Sequence, residues 1–444
     1  MSLLSNALSG LNAANIGLIV AGQNVANEAV PGYSRQGANY ATATGAFNGV
    51  KVVSVERIVD GFLNDDIWRT QADLGHYQGL QSYVSYLEEV MGTDSLNFND
   101  AIADISAALN AAMTTPESSA YRQQVLSSAE ALVQDLAQLN GAMQGQVEKL
   151  GKEMQDLSNN ASAMLAQIAE FNHKIAQAKA NGDATAQLED ARESMLTELS
   201  GIIGVSTHLR EDGKLDISTL SGAPLVVGSQ FAELTVNGTQ ITASLGQQSF
   251  VLTDKVGGRL GGLIAADVQV LKPTATEMNQ LISQLADDVN AALAQGFDLN
   301  GQPGAPLFTY NPADPMGTLR LDPAITQDKL AFTGGEFDAG GNWVPAGGPG
   351  DNSNIAKLVD AFGGQGEGYT KLIGDLAITS RQIKSSTDTA QKLNDNARFA
   401  RDSVSGVNLD EEAANIMHFQ QLYQANAKVV ATADQLFKTL MTMF

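Results

Sequence analysis

The sequence of 444 residues contains no cysteine. This absence excludes structural disulfides, thiolate metal sites and cysteine nucleophiles. A chain without thiols is also indifferent to the redox state of its surroundings, which suits a protein that folds outside the cell. Aromatic residues are scarce as well, at 6%, although hydrophobic residues reach 43%. This composition favours long helices with small-residue seams over one large aromatic core.

Basic residues are also few. Lys and Arg number 26 against 49 Asp and Glu, which gives a formal net charge of −23. Such an acidic surface repels phosphate backbones and anionic lipid, so we expect neither nucleic acid nor membrane as a partner. We expect the excess negative charge mainly to keep the protein soluble.

The sequence lacks an ordinary secretion signal. A cleavable signal peptide begins with a basic region, whereas the first basic residue here is Arg35. No run of about 20 apolar residues is visible, so we also predict no membrane span. The protein therefore either stays in the cytosol or leaves by a route that reads another kind of signal.

Catalytic motifs are missing too. None of the four histidines is followed by Glu, so the chain has no zinc-protease motif. Both Gly-Lys dipeptides lack the Ser or Thr of a phosphate-binding loop, and no G-x-S-x-G elbow occurs. We predict that the protein is not an enzyme, and that it has no metal site and no cofactor.

Both ends of the chain carry apolar residues at alternating steps of three and four, the spacing of a coiled-coil seam. The N-terminal seam consists of Leu4, Leu8, Leu11, Asn15, Leu18, Gly22 and Val25, and it stops before Pro31. The C-terminal seam consists of Phe419, Leu422, Asn426, Val429, Ala433, Leu436, Leu440 and Met443. Asn408 is placed to cap this second helix, with Glu411 three residues later.

The two terminal helices are predicted to pair with each other. Each alone would be marginal in water, because isolated helices lack tertiary packing. We therefore expect both ends to be largely disordered in the monomer and to fold on assembly.

The middle of the chain changes character twice. Residues 61–201 have the periodicity of long helices, and residues 205–252 have short β-branched runs with the turn dipeptides Asp212-Gly213 and Asn237-Gly238. Residues 297–350 are rich in Gly and Pro and are predicted to form a surface insertion of loops with a few strands.

The predicted fold is mainly α with a smaller β-rich part. It combines terminal helices paired as a coiled coil, a helical-bundle middle domain and a small antiparallel β outer domain. The predicted domains are paired terminal helices at 1–36 and 405–444, a helix-rich middle at 37–204, 259–296 and 351–404, and an outer part at 205–258 and 297–350.

Two segments resemble a known family. The first contains Ala7 to Ala14, Gly22 to Asn27 and Pro31 to Gln36, and the second contains Val404 to Glu412 and Phe419 to Ala427. Together they are similar to the terminal signatures of flagellar rod, hook and hook-associated proteins. Tyr33-Ser34-Arg35-Gln36 with Ser405 to Glu412 is most similar to the hook-associated members.

The resemblance implies that the terminal helices line the inner tube of an axial structure, with subunits added head-to-tail around a helical lattice. The implied partners are other copies of the chain, the hook protein, a second junction protein (hook-associated protein 3) and a cytosolic export chaperone that holds the C-terminal helix. The implied location is extracellular, at the hook–filament junction of the flagellum. The implied route is the flagellar type III apparatus, without a cleaved signal peptide.

The resemblance also suggests roles for residues. Leu4, Leu8, Leu11, Leu18 and Val25 would pack on the C-terminal seam, and Asn24 and Asn27 would satisfy polar contacts near the helix end. Gly32 would provide the turn. Tyr33, Arg35 and Gln36 would touch neighbouring subunits, with local turn packing as the alternative for Tyr33 and Arg35. The matching C-terminal motif consists of Asn408, Leu409, Asp410 and Glu411.

Three alternatives remain open at this point. The first is another axial protein, from the hook or the distal rod, although these are β-rich where this chain is helical. The second is an exported enzyme or toxin with coiled-coil ends. The third is a cytosolic coiled-coil scaffold. The β-rich part is also short for the family.

Overall fold

The architecture comes from a computed structural model, which describes residues 2–42, 49–93 and 96–442. Most of these residues are helical. The helices are α1 Ser2–Ala26, α2 Gly61–Gly92, α3 Phe98–Ala112, α4 Ser119–Asn181, α5 Ala186–Ile202, α6 Gly258–Ala265, α7 Lys272–Ala294, α8 Pro315–Thr318, α9 Ser353–Gly363, α10 Gly366–Ser405 and α11 Leu409–Thr442.

The strands form small antiparallel sheets. They are β1 Gln36–Thr42, β2 Val50–Arg57, β3 Val205–Leu209, β4 Leu215–Thr219, β5 Pro224–Val227, β6 Gln230–Phe231, β7 Glu233–Asn237, β8 Gln240–Leu245, β9 Gln248–Val251, β10 Gly296–Phe297, β11 Phe308–Thr309, β12 Arg320–Leu321, β13 Thr333–Phe337 and β14 Trp343–Pro345. The sheets have the orders β1-β2, β3-β4-β5-β6, β7-β8-β9, β10-β13-β14 and β11-β12. The predicted class, mainly α with a smaller antiparallel β part, is confirmed.

The long helix α4 is the backbone of the middle of the molecule. Its inward side chains follow the three-and-four spacing of one buried face, which includes Leu132, Leu136 and Leu139. The helix ends at Gly182, whose left-handed φ of 79° lets its amide bond to the carbonyl of Lys179. The helix therefore ends at Asn181, with Gly182 as its C-terminal cap.

The sheets β3–β9 lie beside the C-terminal part of α4. The side chain of Asn172, which is fully buried, donates to the carbonyls of Leu215 and Gly228 and accepts from the amide of Leu215. Arg192 of α5 donates to the same Asn172 oxygen at 2.9 Å. One buried polar residue therefore aligns the β unit with the helix. Both predicted turns are present, with Gly213 and Gly238 at positive φ.

The prediction of a surface insertion at 297–350 was wrong in part. Phe308 and Phe332 are fully buried, and Phe308 packs edge-on against Phe362 of α9. The guanidinium of Arg122, also buried, lies over the Phe332 ring at 4.3 Å and donates to the carbonyl of Leu330. Sparse apolar residues among many glycines gave no periodic signal, yet they fill the end of the helical core.

Candidate assembly site at the terminal helices

Four elements form a distinct group at one end of the molecule: α1, the β1–β2 hairpin and α11. We call this group the terminal unit, and we call the elements from α2 to α10 the body. The helices α1 and α11 pack along each other, and both strands of the hairpin pack on α1. The ends of the chain are thus brought together, as a coiled-coil pairing requires.

The contact between α1 and α11 is made by small residues of α1. A methyl group placed on Gly10 would come within 2.6 Å of the Asn426 side chain, and one placed on Gly17 within 2.6 Å of the Phe419 ring. A side chain at Gly17 would displace the Phe419 ring, and one at Gly10 would require the Asn426 amide to move, so glycine permits this close approach of the helices. The buried apolar residues of α1 are Ala7, Ala13, Ala14, Val20 and Ala21.

Several residues of the predicted N-terminal seam lie beside the contact with α11 and not in it. Leu4 is 40% exposed, Leu8 52% and Val25 39% in the paired helices, and Leu11 and Leu18 are only partly buried. The observed contact follows the same three-and-four spacing, one residue earlier. The leucines were predicted as the contact residues because they are apolar. Close packing of the two helices instead requires the small residues beside them.

The C-terminal seam is divided between two faces. Phe419 and Asn426 face α1, but Leu422, Val429 and Leu436 are 40%, 38% and 58% exposed. The side chain of Leu440 and the whole of Met443 lie outside the described residues. A role of the exposed seam residues in contacts between subunits stays a prediction.

Sequence analysis missed the β1–β2 hairpin, which lies inside the region that was assigned to the helical middle. The Val50 amide donates to the Ser9 hydroxyl at 3.2 Å, and the Tyr40 ring lies 6.3 Å from the Phe419 ring. The hairpin thus belongs with the terminal helices, and we propose residue 57 as the boundary in place of residue 36. Residues 43–48, between the two strands, are outside the described part of the chain, and the strand residues are only half-buried or exposed, with weak alternation.

The N-terminal family motif closes around Asn24. Its side-chain amide donates to the Gln36 carbonyl at 3.0 Å, and its oxygen accepts the Gln36 amide at 3.0 Å. The Tyr33 hydroxyl donates to the same oxygen at 2.9 Å. Burial, with smaller contributions from the Asp190 and Glu412 carboxylates, raises the pKa of Tyr33 to about 12, so this hydroxyl keeps its proton. Asn24 thereby ties the end of α1 to the start of β1.

Two other motif residues act nearby. Asn27 donates to the Gln23 carbonyl at 2.8 Å, inside its own helix end. Gly32 has a φ of 81°, so the turn after Pro31 requires the conformational freedom of glycine. Contacts of Tyr33, Arg35 and Gln36 with neighbouring subunits stay a prediction.

The C-terminal motif caps α11 and ties it to the N-terminal turn. The Asn408 oxygen accepts the amides of Asp410 and Glu411 at 3.0 and 3.3 Å. The Glu411 carboxylate, however, pairs with Arg35 and does not complete a capping box. The Arg35 amide also donates to the Ser405 carbonyl at 2.8 Å. Leu409, at the first turn of α11, is 50% exposed.

An apolar surface remains uncovered on the paired helices, on more than one side of α11. Its α11 residues include Met417, Leu436, Phe437 and Met441, with exposures between 58% and 67%. On α1 it includes Leu3 at 55%, beside the exposed Leu4 and Leu8. Exposed apolar surface of this extent is typical of an interaction site.

The expectation about membrane spans needs correction. Within the part of the chain that the structure describes, Leu3–Ala26 is long and apolar enough to cross a membrane, with a mean hydropathy of 1.4. Core helices of proteins without membrane spans and signal sequences share this length and composition. In this protein the helix packs on α11, and 28% of the window is buried. The interspersed Asn and Gly residues hid the run during sequence analysis.

Comparison with known families and proteins agrees with this arrangement of the ends. The model of the flagellar hook-associated protein FlgK helical domain matches residues 84–308, about half of the chain. The chain belongs to the FlgK family. The C-terminal model of the flagellar basal body rod FlgEFG proteins matches residues 401–443, which include α11. The resemblance inferred from the two ends is thereby confirmed.

FlgK relatives extend over the full chain. Flagellar hook-associated protein 1 of Escherichia coli (strain K12) is 25% identical over 550 aligned positions and covers all of both chains. The protein of the same name from Bacillus subtilis (strain 168) is 24% identical and covers 98% of this chain and 96% of the relative. Because 550 positions exceed the 444 residues here, the E. coli relative carries segments without a counterpart in this chain.

A solved structure has the same fold. The flagellar hook junction protein FlgK from Burkholderia pseudomallei superposes with a TM-score of 0.67 at 16% identity. The superposition covers 78% of this chain and all of that structure. The helical middle with small antiparallel sheets is therefore the FlgK fold.

Proposed function

We propose that this protein assembles at the junction between the flagellar hook and filament and adapts one structure to the other. Membership in the FlgK family supports this role, because its matched relatives are named hook-associated proteins. The observation that carries the proposal is the apolar surface of the paired terminal helices, with Leu436 at 58% and Phe437 at 63% exposure. Such a surface needs a partner surface in the mature structure.

The same surface would bind two kinds of partner, one before export and one after it. Before export, a cytosolic chaperone would cover the C-terminal helix and prevent aggregation. After export through the type III apparatus, other copies of the chain would cover it in the tube. The hook protein and hook-associated protein 3 would meet the two ends of that assembly. The protein would be located outside the cell and would be exported without a cleaved signal peptide. We propose no enzymatic activity for it.

A charge on the apolar surface tests this proposal. Leu436→Asp should prevent complementation of a deletion strain, because assembly would bury an unpaired carboxylate at a cost of several kcal/mol. The body should fold as before, since Leu436 is exposed in the single chain. The measurements are swimming in soft agar, filament counts by electron microscopy and thermal unfolding of the purified variant.

The neighbouring change Gln435→Asp is the matched control, because Gln435 is exposed and already polar. It adds the same charge one residue away and should retain filaments. Normal swimming by the Leu436→Asp strain would contradict the proposed role of this surface.

A further inference from the structure

A buried ionic cluster lies where the terminal unit meets the body. Arg57, the last residue of β2, has a side chain only 5% exposed, and its Nε lies 2.7 Å from Oδ1 of Asp190. Its Nη1 lies 2.9 Å from Oε1 of Glu193 and 3.3 Å from Oε2 of Glu189. All three carboxylates belong to α5, so one residue of the terminal unit is bound by one helix of the body.

A second set of bonds joins the same place to α10. Arg401 donates from Nη2 to the Gly32 carbonyl at 3.1 Å and to the Ser34 hydroxyl at 3.1 Å. The Arg57 Nη2 also donates to this hydroxyl, at 3.3 Å. Ser34 is fully buried and therefore links both arginines. We call Arg57, Ser34, Arg401 and the three α5 carboxylates the joint.

The Arg35 amide, which donates to the Ser405 carbonyl, adds one further bond between the two parts. The covalent links are the short segments 58–60 and 406–408, on either side of the joint. Beside it lies a cavity of about 420 Å³, whose walls include Gly32, Trp68 and Arg398. Apolar packing therefore leaves this region partly unfilled. The hydrogen bonds and ion pairs of the joint then determine how the terminal unit and the body are oriented.

The chemistry of the joint suits such a task. Burial disfavours the charge on Arg57, but the Glu193 hydrogen bond and the three carboxylate charges outweigh it and raise the pKa of Arg57. The guanidinium thus stays charged; its planar fork donates hydrogen bonds to Glu193 and Glu189, and Asp190 contributes its charge at 2.7 Å. Removing one member of a buried ionic group leaves uncompensated charge, so the contact is either fully formed or strongly disfavoured.

We propose that Arg57 is a positioning residue that fixes the direction in which the β1–β2 hairpin, the base of the terminal unit, leaves the body, before any subunit meets another. The joint gives the terminal helices a preset base on which to fold. When the base of the terminal unit has the same orientation in every subunit, subunits can enter a helical lattice without first sampling other orientations.

A distance measurement on the soluble monomer tests the joint independently of the junction role. The chain has no cysteine, so Val55→Cys on β2 and Lys392→Cys on α10 provide two unique sites for spin labels. Both side chains are exposed. Pulsed electron paramagnetic resonance should give one narrow distance peak for the otherwise unchanged chain. Arg57→Met should lose that peak and give a broad distribution.

Arg69→Met is the matched control, because Arg69 also pairs with carboxylates, Asp66 and Asp73, but at an exposed position within α2. It should keep the narrow peak. If Arg57→Met fails to fold, as judged by circular dichroism, Glu193→Gln decides, since it removes one charge and keeps the shape. A narrow peak in the folded Arg57→Met chain, or failing that in Glu193→Gln, would overturn the proposal, as would a broad distribution in the unchanged chain.

Discussion

At the scale of single residues, the terminal pair depends on where side chains are small. Gly10 and Gly17 lie against Asn426 and Phe419 of α11, and the leucines on either side point elsewhere. The leucines at three-and-four spacing predict the helix correctly. The face that contacts α11 lies one residue earlier than these leucines. The pattern reflects the hydrophobicity of side chains, whereas the close approach of the two helices is limited by side-chain volume.

A larger side chain at Gly17 should disrupt the pair. Gly17→Leu places atoms where the Phe419 ring lies, and overpacking of this kind costs about 1–3 kcal/mol. We expect fewer filaments per cell in a complemented deletion strain. Gly22→Leu is the control, because a methyl group there meets no atom within 4 Å. Equal filament counts for the two variants would contradict the assigned contact face.

At the scale of elements, the terminal helices and the body differ in how they are stabilised. The body helices bury large side chains such as Leu87, Leu132 and Phe362, whereas the buried apolar side chains of α1 are alanines and one valine. Burial contributes about 0.8 kcal/mol for each methylene group, so the α1 contact contributes little. In our proposal the joint at Arg57 anchors the base of the terminal unit, and we expect the helices beyond it to depend on neighbouring subunits.

Amide hydrogen exchange on the soluble monomer should show this difference. We expect rapid exchange in α1 and α11, because isolated helices are marginal in water, and strong protection in α2 and α4. Mass spectrometry of peptides from each helix gives the comparison within one sample. Strong protection of both terminal helices in the monomer would show that they fold before assembly.

At the scale of the whole molecule, local patterns predicted more than long-range contacts did. Helical periodicity located α2 to α5, and the turn dipeptides at Gly213 and Gly238 located two hairpins correctly. The hairpin at 36–57 was missed because none of its strand residues is fully buried and the alternation is weak. The buried Phe308 was missed because its partner Phe362 is distant in sequence, and Phe332 because Arg122, which lies over its ring, is distant as well. The joint was missed for the same reason, since Arg57 and Glu193 are joined only in three dimensions.

The order of elements along the chain is consistent with the proposed function. The chain starts and ends in one terminal unit, and every element between forms the body. In the proposed role, a subunit built this way would present its assembly surface at one end. The acidic body, which carries most of the chain and of the net charge of −23, remains free to face solvent.

The most direct test of the junction role is deletion of the gene, followed by electron microscopy of the cells and analysis of the medium. We predict intact hooks without filaments, with flagellin shed into the medium, and recovery of filaments on complementation. Intact filaments on the deletion strain would contradict the junction role. Cells without hooks would contradict it as well, and would assign the protein to the rod or the hook.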